Sequence, residues 1–379
     1  MERKPGRSLT LGTEFVKNIK GVWKEITTQG SLPRRRSYHT AVSWRSTLFI
    51  LGGQDLREGA LEGLWMLRID SVNPDAERWV KLKIQGGPGA ISRHTAVVFQ
   101  NLMYVYGGTN TIVQYNTLYI LDLEKMIWRT IRQLDEDNPP KMDSHSCVVY
   151  NSNLVFFGGY VSGYRSSILH LFDTSTELWD KKDLNGPCPR SNHSASVFQK
   201  NMYVFGGFDE DHSTLNDFWR LNLETWTWHP LPLRGDAPAA RSGHSTLIYR
   251  NNLILFGGIK EIGHETNELF YCNIEDLVWV LIFHTEATLH KPRLSKNLEV
   301  KSPSHLPRKS IDLSKIAAIQ KEEVKEIANP MLKENEKVIP VPCARDGHSA
   351  CVVDEKMYVF GGDKHQMSFN DLYAYSLIE

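Results

Sequence analysis

Short apolar runs alternate with polar turns along most of the chain, and six of these runs end in a pair of glycines. In every case a histidine stands 13 residues before the first glycine of the pair. Each histidine opens one run, a tight turn follows, and a second run leads to the glycines, which is the pattern of a β-hairpin. The spacing stays constant because one inserted residue would move every later side chain to the opposite face of its strand. The histidines and glycine pairs are His39, His94, His145, His193, His244 and His348, and Gly52-Gly53, Gly107-Gly108, Gly158-Gly159, Gly206-Gly207, Gly257-Gly258 and Gly361-Gly362.

Two further runs complete each unit. The third run follows the glycines after a loop of variable length, as in residues 116–122, 216–222 and 267–273. The fourth run carries a tryptophan, and these tryptophans are Trp79, Trp128, Trp179, Trp228 and Trp279. Four short strands in a unit of roughly 50 residues are typical of one blade of a β-propeller.

The combined motif resembles the kelch repeat: Arg-x-x-His, then Gly-Gly, then Asn-Asp-Leu-Tyr and a tryptophan. An arginine stands three residues before four of the histidines, at Arg36, Arg190, Arg241 and Arg345. The second and third units depart from this pattern, because Arg93 lies directly before His94 and only Lys141 lies near His145. The resemblance implies an all-β, six-bladed kelch-type β-propeller in which the tryptophans are structural.

The sixth unit lacks a tryptophan strand, and the N-terminal region offers one. Trp23 precedes His39 by 16 residues, which matches the distance of 14 to 17 residues between each tryptophan and the next histidine elsewhere. We therefore predict that residues 21–27 form the outer strand of blade 6 and close the ring, which removes an open edge between the first and last blades. The expected organisation is a flexible tail at residues 1–20 and a single propeller domain over 21–379.

One long insertion, residues 285–340, separates blade 5 from blade 6. It is poor in aromatic residues and contains several prolines, so it cannot bury much apolar surface and is expected to be largely disordered. Apolar residues from Leu313 to Met331 recur at near-helical spacing, which makes residues 313–328 a candidate helix. Such a helix either stays in a solvated loop or docks on a partner or on the propeller itself.

Composition excludes several classes of protein. The 379 residues contain 44 Lys plus Arg and 44 Asp plus Glu, whereas a general nucleic-acid binder carries a basic excess. No run reaches the roughly 18 apolar residues of a membrane span, and residues 1–15 lack the apolar core of a secretory signal. The five cysteines are scattered, which argues against a disulfide framework or a zinc site. We expect a cytoplasmic protein, with the nucleus and the oligomeric state left open, and neither a nucleic-acid nor a membrane partner.

The repeat residues are best interpreted as structural. A ring spreads the six histidines apart, whereas a metal site needs three or four ligands at one point, so we expect each imidazole to bind neighbouring backbone. The glycine pairs lack the flanking pattern of phosphate loops and supply unusual backbone angles where a strand leaves the inner ring. Residues 209–212 could ligate a metal, but spacing alone does not bring ligands together. We predict no metal, no cofactor and no catalytic residue.

The loops carry the candidate binding residues. The strand 2–3 and strand 4–1 loops of a propeller emerge at the same end of the ring, and loops on a rigid scaffold often hold recognition residues. Basic side chains flank blades 1 and 6, acidic ones lie near blades 3 and 4, and together with aromatic residues they suggest a bipolar groove for a peptide or loop of a partner protein. Each cluster alone is also typical of a solvated loop. The candidates are Arg34, Arg35, Arg36, Tyr115, Asp135, Asp137, Tyr160, Tyr164, Phe208, Asp209, Asp211 and Arg345.

Three functions remain open from the sequence. We favour a non-enzymatic interaction module, because the kelch resemblance implies a scaffold or the substrate-recognition part of a ubiquitin-ligase adaptor, although no BTB segment fits in the stretch before Trp23. The alternative is a cytoskeletal or actin-linked scaffold, which nothing in the chain separates from an adaptor. A metal-dependent kelch-type enzyme is the third function. The cysteines do not stand in a loop that matches the Tyr–Cys crosslink of copper oxidases, the sequence boxes of sialidases are missing, and residues 209–211 imitate the loop carboxylates of iron-dependent kelch-type specifier proteins only faintly.

Overall fold

The computed structural model describes residues 21–70, 77–131, 138–261, 263–285 and 340–377. These residues form strands, turns and isolated bridges, and among them no helix has the length and apolar character needed to cross a bilayer. The predicted tail at residues 1–20 and the candidate helix at 313–328 lie outside the described residues.

Six antiparallel sheets follow one another along the chain and form the six blades that the sequence predicts. Blade 1 contains Thr40–Trp44, Thr47–Leu51, Leu64–Arg68 and Trp79–Leu82, and blade 2 contains Thr95–Phe99, Leu102–Tyr106, Leu118–Asp122 and Ile127–Ile131. Blade 3 contains Ser146–Tyr150, Asn153–Phe157, Leu169–Asp173 and Leu178–Lys182, and blade 4 contains Ser194–Phe198, Asn201–Phe208, Thr214–Asn222 and Thr227–Leu231. Blade 5 contains Ser245–Tyr249, Asn252–Phe256, Leu269–Asn273, Val278–Phe283 and the short parallel strand Arg234–Gly235. Blade 6 contains Ser349–Val353, Lys356–Phe360, Leu372–Ser376 and Trp23–Glu25.

Three strand 2–3 loops form small hairpins of their own. These pair Gln54–Asp55 with Gly59–Ala60, Tyr160–Val161 with Tyr164–Arg165, and Asp363–Lys364 with Met367–Ser368. The first strands of neighbouring blades lie against one another around the propeller axis. The second strands are almost wholly buried, as their continuous apolar sequences predict.

The hydrophobic core consists of layers between adjacent blades rather than one central cluster. Each of the six clusters among the described residues draws side chains from two neighbouring blades. The repeat tryptophans fill these layers: the ring of Trp279 lies 5.5 Å from that of Phe205 in blade 4, and the ring of Trp228 lies 5.0 Å from that of Phe157 in blade 3. Because every blade depends on its neighbours for burial, the ring has to close.

The N-terminal strand closes the ring, as predicted. Trp23 pairs with Tyr375 and Glu25 with Tyr373 in an antiparallel ladder at the outer edge of blade 6. Trp23 is only 3% exposed, and its ring centroid lies 5.2 Å from that of Phe256 in blade 5. The strand therefore completes blade 6 and also packs it against blade 5.

A closed ring of backbone hydrogen bonds surrounds the axis. The residue just before each repeat histidine donates its N–H to the carbonyl of the equivalent residue in the preceding blade, over 2.6–3.0 Å. All of these residues have φ between 52° and 63°, a region that non-glycine residues disfavour. The bonds between blades therefore hold a strained backbone in place. The members of this ring are Tyr38, Arg93, Ser144, Asn192, Gly243 and Gly347.

A second ring links side chains. The Nε2 atom of each repeat histidine lies 2.6–2.9 Å from the hydroxyl of a serine or threonine in the preceding blade, and the ring closes between His39 and Ser349. We expected the imidazoles to bind neighbouring backbone, whereas the partner of each Nε2 atom is a hydroxyl of the preceding blade. Burial lowers the pKa of all six imidazoles, which keeps them neutral near pH 7. The hydroxyl residues are Thr40, Thr95, Ser146, Ser194, Ser245 and Ser349.

The glycine pairs allow the two rings to approach the second strands. A Cβ atom on Gly158 would lie 2.7 Å from the carbonyl oxygen of Arg190 and 2.8 Å from Cε1 of His193, both belonging to the next blade. A Cβ atom on Gly159 would lie 2.7 Å from Cβ of His145 in its own blade. Both glycines also have positive φ, so the pair is required by close packing and by backbone angle.

We predict that Trp23→Ala destabilises the propeller by about 3–5 kcal/mol, because it empties a buried site that serves two blades. Chemical denaturation of the full chain measures the loss. Val22→Ala, an exposed neighbour, is the matched control and should change stability by less than about 0.5 kcal/mol. Equal stability of the two variants would contradict closure by this strand.

We predict that Ser349→Ala lowers the free energy of unfolding by about 1–3 kcal/mol, because it leaves the buried His39 imidazole without its partner. Ser349→Thr should retain most of the stability, since threonine fills the equivalent place in blades 1 and 2. Thermal melts of both variants decide the matter. A loss that is the same for alanine and threonine would point to packing rather than to the hydrogen bond.

Candidate interaction surface

The strand 4–1 and strand 2–3 loops meet at one end of the ring, which we call the loop face. In each blade the residue two positions before the histidine forms a bridge with the residue after the glycine pair. Ser37 with Gln54 in blade 1 and Asp346 with Asp363 in blade 6 are examples. The loop face therefore comprises the segments around residues 32–38 and 54–60, together with their counterparts in the other five blades.

Two of the candidate arginines, Arg36 and Arg345, are buried beneath the loop face. Together with Arg190 and Arg241 they are 0–2% exposed. Each guanidinium donates to the carbonyl of the first repeat glycine of its blade, over 2.6–3.1 Å, and to a carbonyl two residues before it. A partner can touch only an exposed group, so this burial corrects our assignment of Arg36 and Arg345 to partner binding. They anchor the strand 4–1 loops instead.

Arg34 and Arg35 are exposed and line a cavity of about 830 Å³ between blade 6 and blade 1, the blade 6/1 cavity. Arg34 forms an ion pair with Glu58. Leu56 and Met367, which are 70% and 64% exposed, lie at the same cavity. Leu32, Arg57 and His365 also line this cavity. The cavity thus combines cationic and apolar side chains.

The candidate aromatic residues lie in other parts of the loop face. Tyr115 is half-buried and packs against the cluster between blades 1 and 2. Tyr160 and Tyr164 belong to the small hairpin of blade 3, where the Tyr164 side chain is 72% exposed. Phe208 follows the glycine pair of blade 4, and the Arg165 guanidinium carbon lies 6.0 Å from its ring centroid.

Of the acidic candidates that the structure describes, Asp209 has a structural role and Asp211 is exposed to solvent. Oδ1 of Asp209 accepts the backbone N–H groups of Asp211 and Ser213, over 3.1 and 2.9 Å, and so shapes its own loop. Asp211 is exposed, and Asp135 and Asp137 lie outside the described residues. Blades 3 and 4 stand opposite blades 6 and 1 in a ring of six. The structure therefore brings Arg34 and Arg35 into one cavity, whereas Asp209, Asp211 and the aromatic candidates do not line it.

A polar cluster at the mouth of the axis was missed from the sequence. The Tyr38 hydroxyl donates to Oδ2 of Asp346 over 2.6 Å, and the Arg93 guanidinium carbon lies 3.8 Å from the centroid of the Tyr38 ring. These residues stand one or two positions before a repeat histidine. The sequence carried one signal for these residues: they stand at a fixed distance before the repeat histidine, while their side-chain type changes from blade to blade.

Three carboxylates crowd together beside this cluster. Glu265, Asp346 and Asp363 each place an oxygen within 4.8 Å of the other two. Such oxygens are of the type that hard cations prefer, but Asp346 accepts from Tyr38, and Glu265 accepts the backbone N–H of His365 over 3.1 Å. We therefore treat the group as an electrostatic feature. Burial, reinforced by the neighbouring carboxylates, raises the pKa of Asp346 to about 6 and also raises the pKa of Asp363.

We predict a pH-dependent stability gain for Asp346→Asn. Burial and the charges of Asp363 and Glu265 raise the pKa of Asp346 from 3.8 to about 6, against the opposing effects of Tyr38 and Arg93. Below pH 4 the wild-type Asp346 side chain is neutral and the fold keeps its full free energy of unfolding. Part of that free energy is lost as the pH rises through 6, because the buried carboxyl becomes charged. The variant stays neutral, so its stability relative to wild type should rise by at most about 3 kcal/mol between pH 4 and pH 7.5.

Denaturant titrations at several pH values measure that difference. Asp211→Asn, on an exposed loop of blade 4, is the matched control and should show a difference from wild type that does not change with pH. A pH-independent difference for Asp346→Asn would contradict the electrostatic assignment.

Comparison with known proteins agrees with the repeat. The family model "KLHDC2/KLHL20/DRC7 Kelch-repeats domain" matches residues 14–182 and 144–302, and a "Kelch motif" model matches residues 344–379. The chain is 29% identical over 298 residues to Kelch domain-containing protein 2 of Bos taurus, covering 69% of this chain and 72% of the relative. It is 28% identical over 290 residues to Kelch domain-containing protein 1 of Homo sapiens, covering 68% and 71%. Because the family model spans more than half of the chain and six blades carry the repeat, this protein belongs to the kelch-repeat family of β-propellers.

Proposed function

We propose that this chain is a non-enzymatic protein-interaction module that grips a peptide or loop of a partner protein on its loop face. Kelch propellers typically bind protein partners. Two cytoplasmic roles require the same binding of a partner segment, namely a scaffold and the substrate-recognition subunit of a ubiquitin ligase. The observation that carries it is the blade 6/1 cavity.

The blade 6/1 cavity has the composition of a binding hot spot. Its exposed arginines, Arg34, Arg35 and Arg57, stand beside Leu56 and Met367. Arginine and methionine are enriched in the core of protein interfaces, arginine is frequent among the residues that dominate binding energy, and a volume of about 830 Å³ can hold several side chains. Three arginines face two acidic residues, Asp55 and Glu58. The cavity therefore favours a partner segment with an acidic residue next to an apolar one.

The chemistry of the repeat residues supports a non-catalytic role. The six histidines are neutral, buried and engaged in the hydroxyl ring, so their Nε2 atoms already have partners. Burial raises the pKa of the Cys272 and Cys351 thiols to about 12, so these thiols are not nucleophilic thiolates. What varies from blade to blade is the set of loops, as expected where recognition rather than chemistry distinguishes the protein.

The test is proximity labelling in cells with wild type and with the triple variant Arg34→Ala/Arg35→Ala/Arg57→Ala. The variant should lose at least one reproducible partner, with binding weakened by about tenfold or more in a purified system. Ligase subunits among the partners would favour the adaptor role, and cytoskeletal proteins would favour the scaffold alternative.

The matched control removes three exposed cations from the opposite end of the ring, as Arg45→Ala/Lys125→Ala/Arg250→Ala. These residues lie in the strand 1–2 and strand 3–4 turns. The control should leave the partner list unchanged. Loss of the same partners from both triple variants, or from neither, would refute the assignment to the blade 6/1 cavity.

A further inference from the structure

Blade 3 departs from the other five blades at one position of its third strand. The first buried residue of each third strand is a leucine or phenylalanine, and the residue that follows it is aromatic in five blades but histidine in blade 3. The six residues are Trp65, Tyr119, His170, Trp219, Phe270 and Tyr373. His170 is not one of the repeat histidines, so the hydroxyl ring does not account for it.

Neighbouring blades show what an aromatic residue does at this position. The ring of Trp219 lies 6.4 Å from that of Trp228, and its Nε1–H donates to Asp217 over 2.7 Å. The ring of Tyr119 lies 6.3 Å from that of Trp128 in the same way. An aromatic side chain at this position therefore packs against the fourth-strand tryptophan of its own blade. In blade 3 that contact is made by Phe156, which lies directly across from His170 and whose ring lies 5.3 Å from that of Trp179.

A cavity of about 770 Å³ lies beside His170, and we call it the blade 3 pocket. Its apolar lining comes from the strand 4–1 loops on either side and from the hairpin of blade 3. These residues are Pro140, Val161, Tyr164, Ile168 and Pro189. His170 itself is 7% exposed, and its Nδ1 is buried without a hydrogen-bond partner among the described residues.

Charged side chains also line the blade 3 pocket. Arg165 and Lys181 carry positive charge, whereas Asp183 is the single carboxylate among the lining residues in the described part of the chain. Burial, together with the charge of Lys181, lowers the pKa of His170 to about 4, so the imidazole is a neutral aromatic surface. The pocket thus pairs flat apolar walls with a net cationic rim.

We infer that the blade 3 pocket receives a tyrosine or tryptophan side chain of a partner protein, next to an acidic residue of the same segment. The incoming ring occupies the cavity beside His170 and packs against the imidazole and the prolines. The neighbouring carboxylate meets the cationic rim. This inference rests on the proposed function, because it assigns a second contact on the loop face, across the ring from the blade 6/1 cavity.

The most direct test replaces His170 with a larger side chain of the protein itself, which occupies the blade 3 pocket. His170→Trp installs the residue that blade 4 carries, and the double variant Phe156→Val/His170→Trp reproduces the complete cross-strand pair Val204 and Trp219 of blade 4. At least one of the two should melt at or above the wild-type temperature. Leu178→Trp, which adds an indole at an exposed position at the other end of blade 3, is the matched control.

The probe is acetyl-Gly-Asp-Trp-Gly-amide, titrated into the full chain by NMR. We expect a dissociation constant of about 1 mM for wild type and for Leu178→Trp, and binding weaker by about tenfold or more for the folded filled variant and for Tyr164→Ala. The peptides with Leu in place of Trp, or Lys in place of Asp, should also bind more weakly. No binding to wild type, or equal binding to a folded filled variant, would overturn the inference.

The same variants separate this inference from the proposed function in cells. If only the inference fails, partners depend on the arginines of the blade 6/1 cavity and are unaffected by filling the blade 3 pocket. If the proposed function fails, neither set of variants changes the partner list, whereas the purified chain still binds the probe. Loss of partners on filling the pocket, with the Leu178→Trp list intact, supports the inference.

Discussion

The two hydrogen-bonded rings around the axis constrain every other part of this propeller. Each blade donates one backbone N–H to the blade before it and places one imidazole against that blade's hydroxyl. No blade satisfies these inner polar groups by itself, and a buried group left without a partner costs about 1–3 kcal/mol. Both rings are complete only when blade 1 meets blade 6, so the outer strand that packs blade 6 in place belongs to the same constraint.

The buried arginines show how the repeat tolerates variation. Where an arginine anchors blades 4, 5 and 6, it pairs with a carboxylate that stands immediately before the buried leucine or phenylalanine of the third strand. Blades 2 and 3 carry the buried apolar residues Ile91 and Met142 at the arginine position, and the uncharged residues Thr117 and Ile168 at the carboxylate position. The pair is exchanged as a unit, since an isolated buried charge is costly. Blade 1 is the exception: Gly63 stands at the carboxylate position, and burial with the nearby charge of Arg34 lowers the pKa of Arg36 to about 10.

The repeated residues are structural, whereas the residues of the loop face differ from blade to blade. The rings, glycine pairs and inter-blade tryptophans build a rigid frame from repeated residues, and the loops above them are free to differ. The features that we connect with binding are departures from the repeat: exposed arginines before blade 1, and a histidine where the other blades have an aromatic ring. Rigid support of such departures keeps the entropy cost of binding low.

The sequence by itself determined the number of blades, the strand order and the closing strand, because constant spacing and alternating faces leave one register for each hairpin. It also indicated which residues are structural, including the glycine pairs. It did not distinguish Arg34 and Arg35 from Arg36, nor reveal that each imidazole binds a hydroxyl of another blade, although a serine or threonine follows every repeat histidine. Only the tertiary structure decided these points. Contacts between residues about one repeat apart depend on how the blades curve around the axis, and adjacent loop residues that look alike in sequence point into the frame or into solvent according to that curvature.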